Sequence, residues 1–199
     1  MSFSKGKHWV RAVIEDRYQF LCLLIDLFDS QAEEYENNAT KQISNLAKEI
    51  AGGDEEIEVG EKYKLLVSFA NSQDNRNLFY QSMIIMGYSY YETSLSLIKK
   101  EVRRSRRDLT KCLKQSTDIQ NRRSWLEGDI KKLRNFLVHN NSIAPKNGQE
   151  ESIKRLKSIY PEIIYNGSEV FISNVNCVKE FLQKEYEVLT DICIQVGFI

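Results

Sequence analysis

From Trp9 to Ile50 the chain has neither proline nor glycine, and Val10, Val13, Ile14, Phe20, Leu21, Leu24, Ile25 and Phe28 recur at three- and four-residue intervals. That spacing predicts a long amphipathic helix, either continuous or broken near Asp29 and Ser30, and Ala51-Gly-Gly-Asp54 supplies the stop. A second helix is expected over about 61–70 and a third over about 77–104, where Leu78, Met83, Met86, Tyr90, Leu95, Leu97 and Ile98 offer a broad apolar surface. Aromatics and methionines at this spacing read as core. Residues 105–123 are polar and basic and read as a connector or a short exposed helix.

A further helix is predicted over about 124–139, opened by Ser124-Trp-Leu-Glu127 with the spacing of a capping box and ended by Asn140, Asn141 and Pro145. After a short helix over 150–159, Asn166-Gly167 separates two β-prone runs between Ile163 and Ile172, which predicts a small hairpin. Ser173 or Asn174 then caps a last helix over 175–196, with Gly197 beyond its end. The expected fold is therefore all-α, a helical bundle with one minor hairpin before the last helix.

Composition narrows this picture. At 199 residues and 42% hydrophobic content the chain suits a single globular domain, 1–199. Its 2 prolines and 9 glycines are too few for the turns of a sandwich or barrel. Cys22, Cys112, Cys177 and Cys193 show no C-x-x-C spacing, so they read as reduced thiols without a zinc or redox site. The longest apolar run, Phe20 to Ile25, is too short for a membrane span, and Met1 to His8 has no apolar signal centre. A cytoplasmic protein is expected, and the sequons at Asn38, Asn140 and Asn166 are then chance matches.

The formal charge is zero, but it is a cancellation of opposed segments. Glu15 to Glu61 holds thirteen acidic and three basic residues, whereas Lys99 to Arg134 holds thirteen basic and five acidic. The second stretch is either the solvated side of its helices or a local phosphate-binding face. Arg103, Arg104, Arg106, Arg107, Lys131 and Lys132 are its candidate RNA-binding residues, with a tyrosine or Trp125 available to stack a base.

Only two histidines occur. His8 lies in a Lys-rich tip and calls for no functional reading, but His139 closes Leu133-Arg-Asn-Phe-Leu-Val-His-Asn140. Arg134, Asn135 and His139, with four residues between the arginine and the histidine, resemble the R-N-x-x-x-H pattern of the HEPN superfamily. The motif's place near the end of an apolar helix, with one more long helix to follow, matches that family's layout over about 77–196. The resemblance implies a metal-independent endoribonuclease without a cofactor. Arg134, Asn135 and His139 would be its catalytic residues, in a composite site across a homodimer. It further implies an RNA substrate and a toxin or phage-defence setting, with an antitoxin or defence-system partner and no membrane.

The chemistry is consistent with those residue types. RNA carries its own nucleophile, so cleavage needs a proton acceptor, a proton donor and positive charge at the phosphate. Imidazole moves protons near neutral pH and guanidinium grips phosphate bidentately. On a helix Asn135 and His139 share a face, while Arg134 and His139 stand ~140° apart. They converge if the arginine folds round, if the last turn unwinds, or if two chains face each other. In toxins that pair with minimal nucleotidyltransferase antitoxins a tyrosine commonly lies two residues past the motif histidine; here that residue is Asn141. The alternatives are a catalytically inactive HEPN module that binds a nucleotide or partner protein, or a helix on which Arg134 merely pairs with Glu127 or Asp129 and His139 meets the C-terminal dipole.

Overall fold

Long uninterrupted helices need an apolar stripe that something else covers, and the last helix of this chain supplies the cover. The computed structural model describes residues 8–51, 59–113, 116–139 and 148–198, with side chains placed for all of these except 43, 46–51 and 59–74. The elements are α1 (Trp9–Ala51), α2 (Val59–Arg104), α3 (Leu109–Leu113), α4 (Thr117–Trp125), a π turn (Leu126–Ile130), α5 (Lys131–His139), α6 (Gln149–Ile159), β1 (Ile163–Tyr165), β2 (Val170–Ile172) and α7 (Val175–Gln195). The fold is all-α with one two-stranded hairpin.

α1 runs through Asp29 and Ser30 without a break, and α2 joins the two helices expected over 61–70 and 77–104. Neither junction contains proline or glycine, so nothing local forces a stop. α1 and α2 pack on each other and both pack on α7. α7 buries Val178, Phe181, Leu182, Val188, Leu189 and Ile192 on one face, and the core continues into Ile14, Ile25, Tyr88, Tyr91, Ile98 and Leu133. Arg76 clamps the two long helices at mid-length, donating to Asp29 at 3.1 Å and Glu36 at 2.7 Å while Tyr80 donates to Asp29 at 2.5 Å.

Within the polar stretch 105–123, read as a connector or a short helix, a turn and a short link over 105–108 lead into α3, and α4 begins at Thr117. Leu113 and Ile119 are buried, and Leu109 and Cys112 pack partly buried against the core beside them. Ser116 caps α4 by accepting from the Ile119 N–H, and Arg122 ties α4 to α7 through Asp191 at 2.6 Å. Ser124 is therefore inside a helix rather than a cap, which corrects the capping-box reading: the real cap lies eight residues earlier, where Ser116 precedes the polar turn. Between α4 and α5 the backbone widens into the π turn, with the Lys131 N–H reaching back to the Leu126 carbonyl. The expected stop at Asn140, Asn141 and Pro145 lies outside the described residues.

The hairpin pairs Ile163 with Ile172 and Tyr165 with Val170. Its loop has four residues, not the two of an Asn-Gly turn, because the Asn166 side chain accepts from the N–H groups of Ser168 and Glu169 and Gly167 takes φ +101°. α2 finishes the outer edge of β2: Gln81 donates to the Val170 carbonyl at 2.7 Å, and Asn77 accepts from the Ile172 N–H at 2.8 Å. At α7, Asn174 is the cap, accepting from the Asn176 N–H. His8 accepts from the Val10 N–H at the start of α1 and stacks on Phe198 at 4.0 Å, so its role is to join the two described ends.

One core group is out of character. Glu185 on α7 is 1% exposed, its Oε2 has no hydrogen-bond partner, and that atom lies 2.9 Å from the point a Cβ at Gly87 would occupy. Burial holds its carboxyl well above the ordinary value of 4.5, so the folded chain keeps a proton that the unfolded chain releases. Stability should therefore fall as pH rises from about 4.5 toward that raised value. Melting measured across that range should show the slope in wild type and a flatter profile in Glu185→Gln.

Candidate functional site

α5 is short but sharply two-sided. Leu133, Phe136 and Leu137 are buried against α2 and α6, while Arg134 and Asn135 are half-buried and Val138 and His139 exposed. The helix stays α-helical to His139, so the last turn does not unwind. Arg134 Nη1 donates to Asn135 Oδ1 at 2.9 Å, which draws the guanidinium toward the face Asn135 shares with His139.

The carboxylates that could have neutralised Arg134 are engaged elsewhere. Glu127 accepts from Arg123 at 2.9 Å and from the Tyr91 hydroxyl at 3.3 Å. Asp129 accepts from Arg155 at 2.5 Å and from Ser152 at 2.8 Å. Burial alone would raise the Asp129 carboxyl, but those two hydrogen bonds outweigh it and hold the group below its ordinary value. Among the described residues Arg134 forms no ion pair, and its Nε is buried without a partner. The simple structural reading of Arg134, paired to Glu127 or Asp129, is thereby excluded within those residues. Tyr88 of α2 lies within the field of Arg134: burial raises its hydroxyl, Glu92, Glu127 and Glu185 add to the rise, and Arg134 opposes it.

The basic residues separate into distinct places. Arg103 and Arg107 line a cavity at the C-terminal end of α2, together with Lys99, Gln120 and Arg123. Arg104 pairs with Glu101 at 3.3 Å, and Lys131 is exposed. Lys132 stands beside Gly148, at the start of α6. Trp125 is no free stacking platform: its ring packs edge-on to Phe181 under the Lys184 ammonium. No group of three or more His, Cys, Asp or Glu that could hold a metal occurs among the described residues. No helix among them is long and apolar enough to cross a membrane.

Sequence reasoning missed Lys99, Gln120 and Arg123 as members of one cavity and Glu185 as a buried acid. Glu185 had a detectable signal, since it stands one turn from both Phe181 and Leu189 on the apolar face of α7. The cavity had none, because it depends on how α3 and α4 fold back on α2. Comparison of the chain with known protein families, curated proteins and solved structures finds no match.

Arg106 is the one described non-glycine residue with positive φ, at +56°. It occupies the turn after α2, where its N–H meets the Arg103 carbonyl and the Arg107 N–H meets the Val102 carbonyl. α7 ends with the same pattern around Gly197, at φ +79°. A side chain in this conformation costs ~1 kcal/mol or more where glycine would cost little. Arg106→Gly should accordingly stabilise the fold by about 1 kcal/mol, seen as a higher urea midpoint at unchanged slope.

Proposed function

We propose that the chain is a metal-independent endoribonuclease of HEPN type, acting as a homodimer, with Arg134, Asn135 and His139 as its catalytic residues. The observation that carries the reading is the state of Arg134. Its charge is spent on no described carboxylate, and its head group is turned by Asn135 toward the face that ends at the exposed His139. An arginine held in that way is prepared for a phosphate.

Phosphodiester transfer here requires that the 2′-hydroxyl lose its proton as its oxygen bonds to phosphorus, and that the 5′-oxygen gain one as its bond to phosphorus breaks. A single imidazole cannot hold both roles in one step. His139 of one protomer accepts the first proton and His139 of the partner subunit donates the second, while Arg134 stabilises charge on the non-bridging oxygens. Asn135 keeps the guanidinium aimed. The products are a 2′,3′-cyclic phosphate and a 5′-hydroxyl. A toxin or defence setting, with an antitoxin or defence-system partner, goes with this reading of the motif.

The dimer has a surface available to it. α2 packs between α1 and α5, and its outer side carries exposed Leu78 and Met86. Met86 at 41% exposure shares a groove with Phe20 of α1 at 62%, and Leu23 and Leu27 extend that apolar strip. A two-fold axis along this strip covers its apolar side chains.

Purified protein incubated with total RNA in EDTA should produce cyclic-phosphate ends. His139→Ala and Arg134→Ala should each lower cleavage by about 10²-fold or more with folding intact, and Asn135→Ala should be milder. Cleavage by His139→Ala at the wild-type rate would leave the binding-module reading in its place. Sedimentation should show a dimer at micromolar concentration, and Phe20→Glu with Met86→Glu should give a folded, inactive monomer. An active monomer would remove the composite site.

A further inference from the structure

Where α2 ends, α3 and α4 fold back to enclose a cavity of about 710 Å³, within the range of small-molecule and nucleotide sites. Lys99, Arg103, Arg107 and Arg123 line it, and the one acid in its wall is Asp108. Asp108 is already engaged, accepting the Thr110 N–H at 2.9 Å at the start of α3. Arg107 is held to the wall by donating to the Val196 carbonyl at 2.9 Å. Arg123 gives one nitrogen to Glu127 and keeps a buried Nε without a partner. Lys99 and Arg103, one turn apart on α2, are exposed and form no ion pair among the described residues. Like charges so placed repel, and among the described residues neither Lys99 nor Arg103 is paired with an anion.

One wall residue, Arg123, is linked through Glu127 and the buried Tyr91 toward the helix that carries the candidate catalytic residues. Arg123 and Glu127 meet at Tyr91, and Tyr88, one turn earlier on α2, lies in the fields of Glu127 and Arg134. Both sites thus lie along the seam between α2 and the α4–α5 segment. Arg134 is eleven positions beyond Arg123 along a segment that includes the π turn, an axial span of at most about 16 Å at ~1.5 Å per residue. That length corresponds to about five stacked nucleotides at ~3.4 Å each.

We propose that the cavity is a backbone-phosphate subsite for single-stranded RNA whose scissile phosphate lies at Arg134 and His139, an assignment that rests on the ribonuclease reading. Lys99, Arg103, Arg107 and Arg123 take the phosphates of nucleotides about five positions from the cut, and Gln120, whose amide already donates to the Leu113 carbonyl at 3.0 Å, gives its second N–H to the same oxygens. The subsite positions the strand without reading bases, so it governs substrate affinity and length requirement rather than the chemical step.

The test uses fluorescein-labelled 2′-O-methyl oligonucleotides, which cannot be cleaved, from about three to about twelve nucleotides long. Wild-type affinity should rise abruptly once the strand exceeds about five nucleotides. The double variant Lys99→Glu, Arg103→Glu, checked for folding by circular dichroism, should lose that rise and lower the salt slope by about two. On unmodified RNA it should keep kcat and raise KM at least ~10-fold. A length step that survives in the variant overturns the subsite. So does ATP binding at the cavity with no length step, which would make it a site for free nucleotide. Cleavage by wild type without any length step removes the subsite and leaves the ribonuclease reading standing. A charge-dependent step without cleavage does the reverse.

Discussion

Everything in this molecule hangs on the apolar face of α7. Two helices of 43 and 46 residues cannot be stable side by side in water unless their shared stripe is covered, and α7 packs against both. The same helix then receives α4 through Arg122 and Asp191, and the turn after α2 through Arg107 and the Val196 carbonyl. A peripheral basic segment with few apolar side chains to bury, Leu113 and Ile119 chief among them, thus acquires a fixed place. The candidate site inherits its rigidity from that anchoring, since α5 presses Leu133, Phe136 and Leu137 onto the same core.

Much of this was legible in the sequence, for physical reasons that differ by element. α7, α6 and the hairpin were readable because their signals are local: the Asn174 cap of α7, an Asn-Gly pair between two β-prone runs, and apolar residues at helical spacing. The continuity of α2 was not, because a polar stretch over 71–74 resembles a loop until one notes that it contains no breaker. α3 and α4 were obscured in another way. Their helicity depends on the Ser116 cap, on ion pairs such as Arg122 with Asp118, and on docking to α7, none of which registers as hydrophobic periodicity.

The site divides along the same line. The order Arg134, Asn135, His139 is a one-dimensional pattern, and the chain displays it openly. What the pattern could not show is the status of each charge. Glu127 and Asp129 are sequence neighbours of Arg134 and plausible partners for it, yet Arg123 and Arg155 claim them. Competition among cations for a few carboxylates is settled by the packing of α4 and α6, so it becomes visible only once those helices have places.

The π turn separates two attachments that would otherwise be in conflict. Before it, α4 is moored to α7; at its end, Asp129 is moored to α6 through Arg155 and Ser152, and beyond it α5 packs on α6. A regular helix transmits rotation rigidly, so both moorings would have to agree in phase to within a fraction of a turn. One widened turn, containing Gly128 with open space around its Cα, works as a slip joint between them. Gains and losses of a single residue upstream can be absorbed there without turning the face of α5 that carries Asn135 and His139. The segment carrying the basic cavity is thereby free to diverge in length and composition while Arg134 and His139 keep their aim.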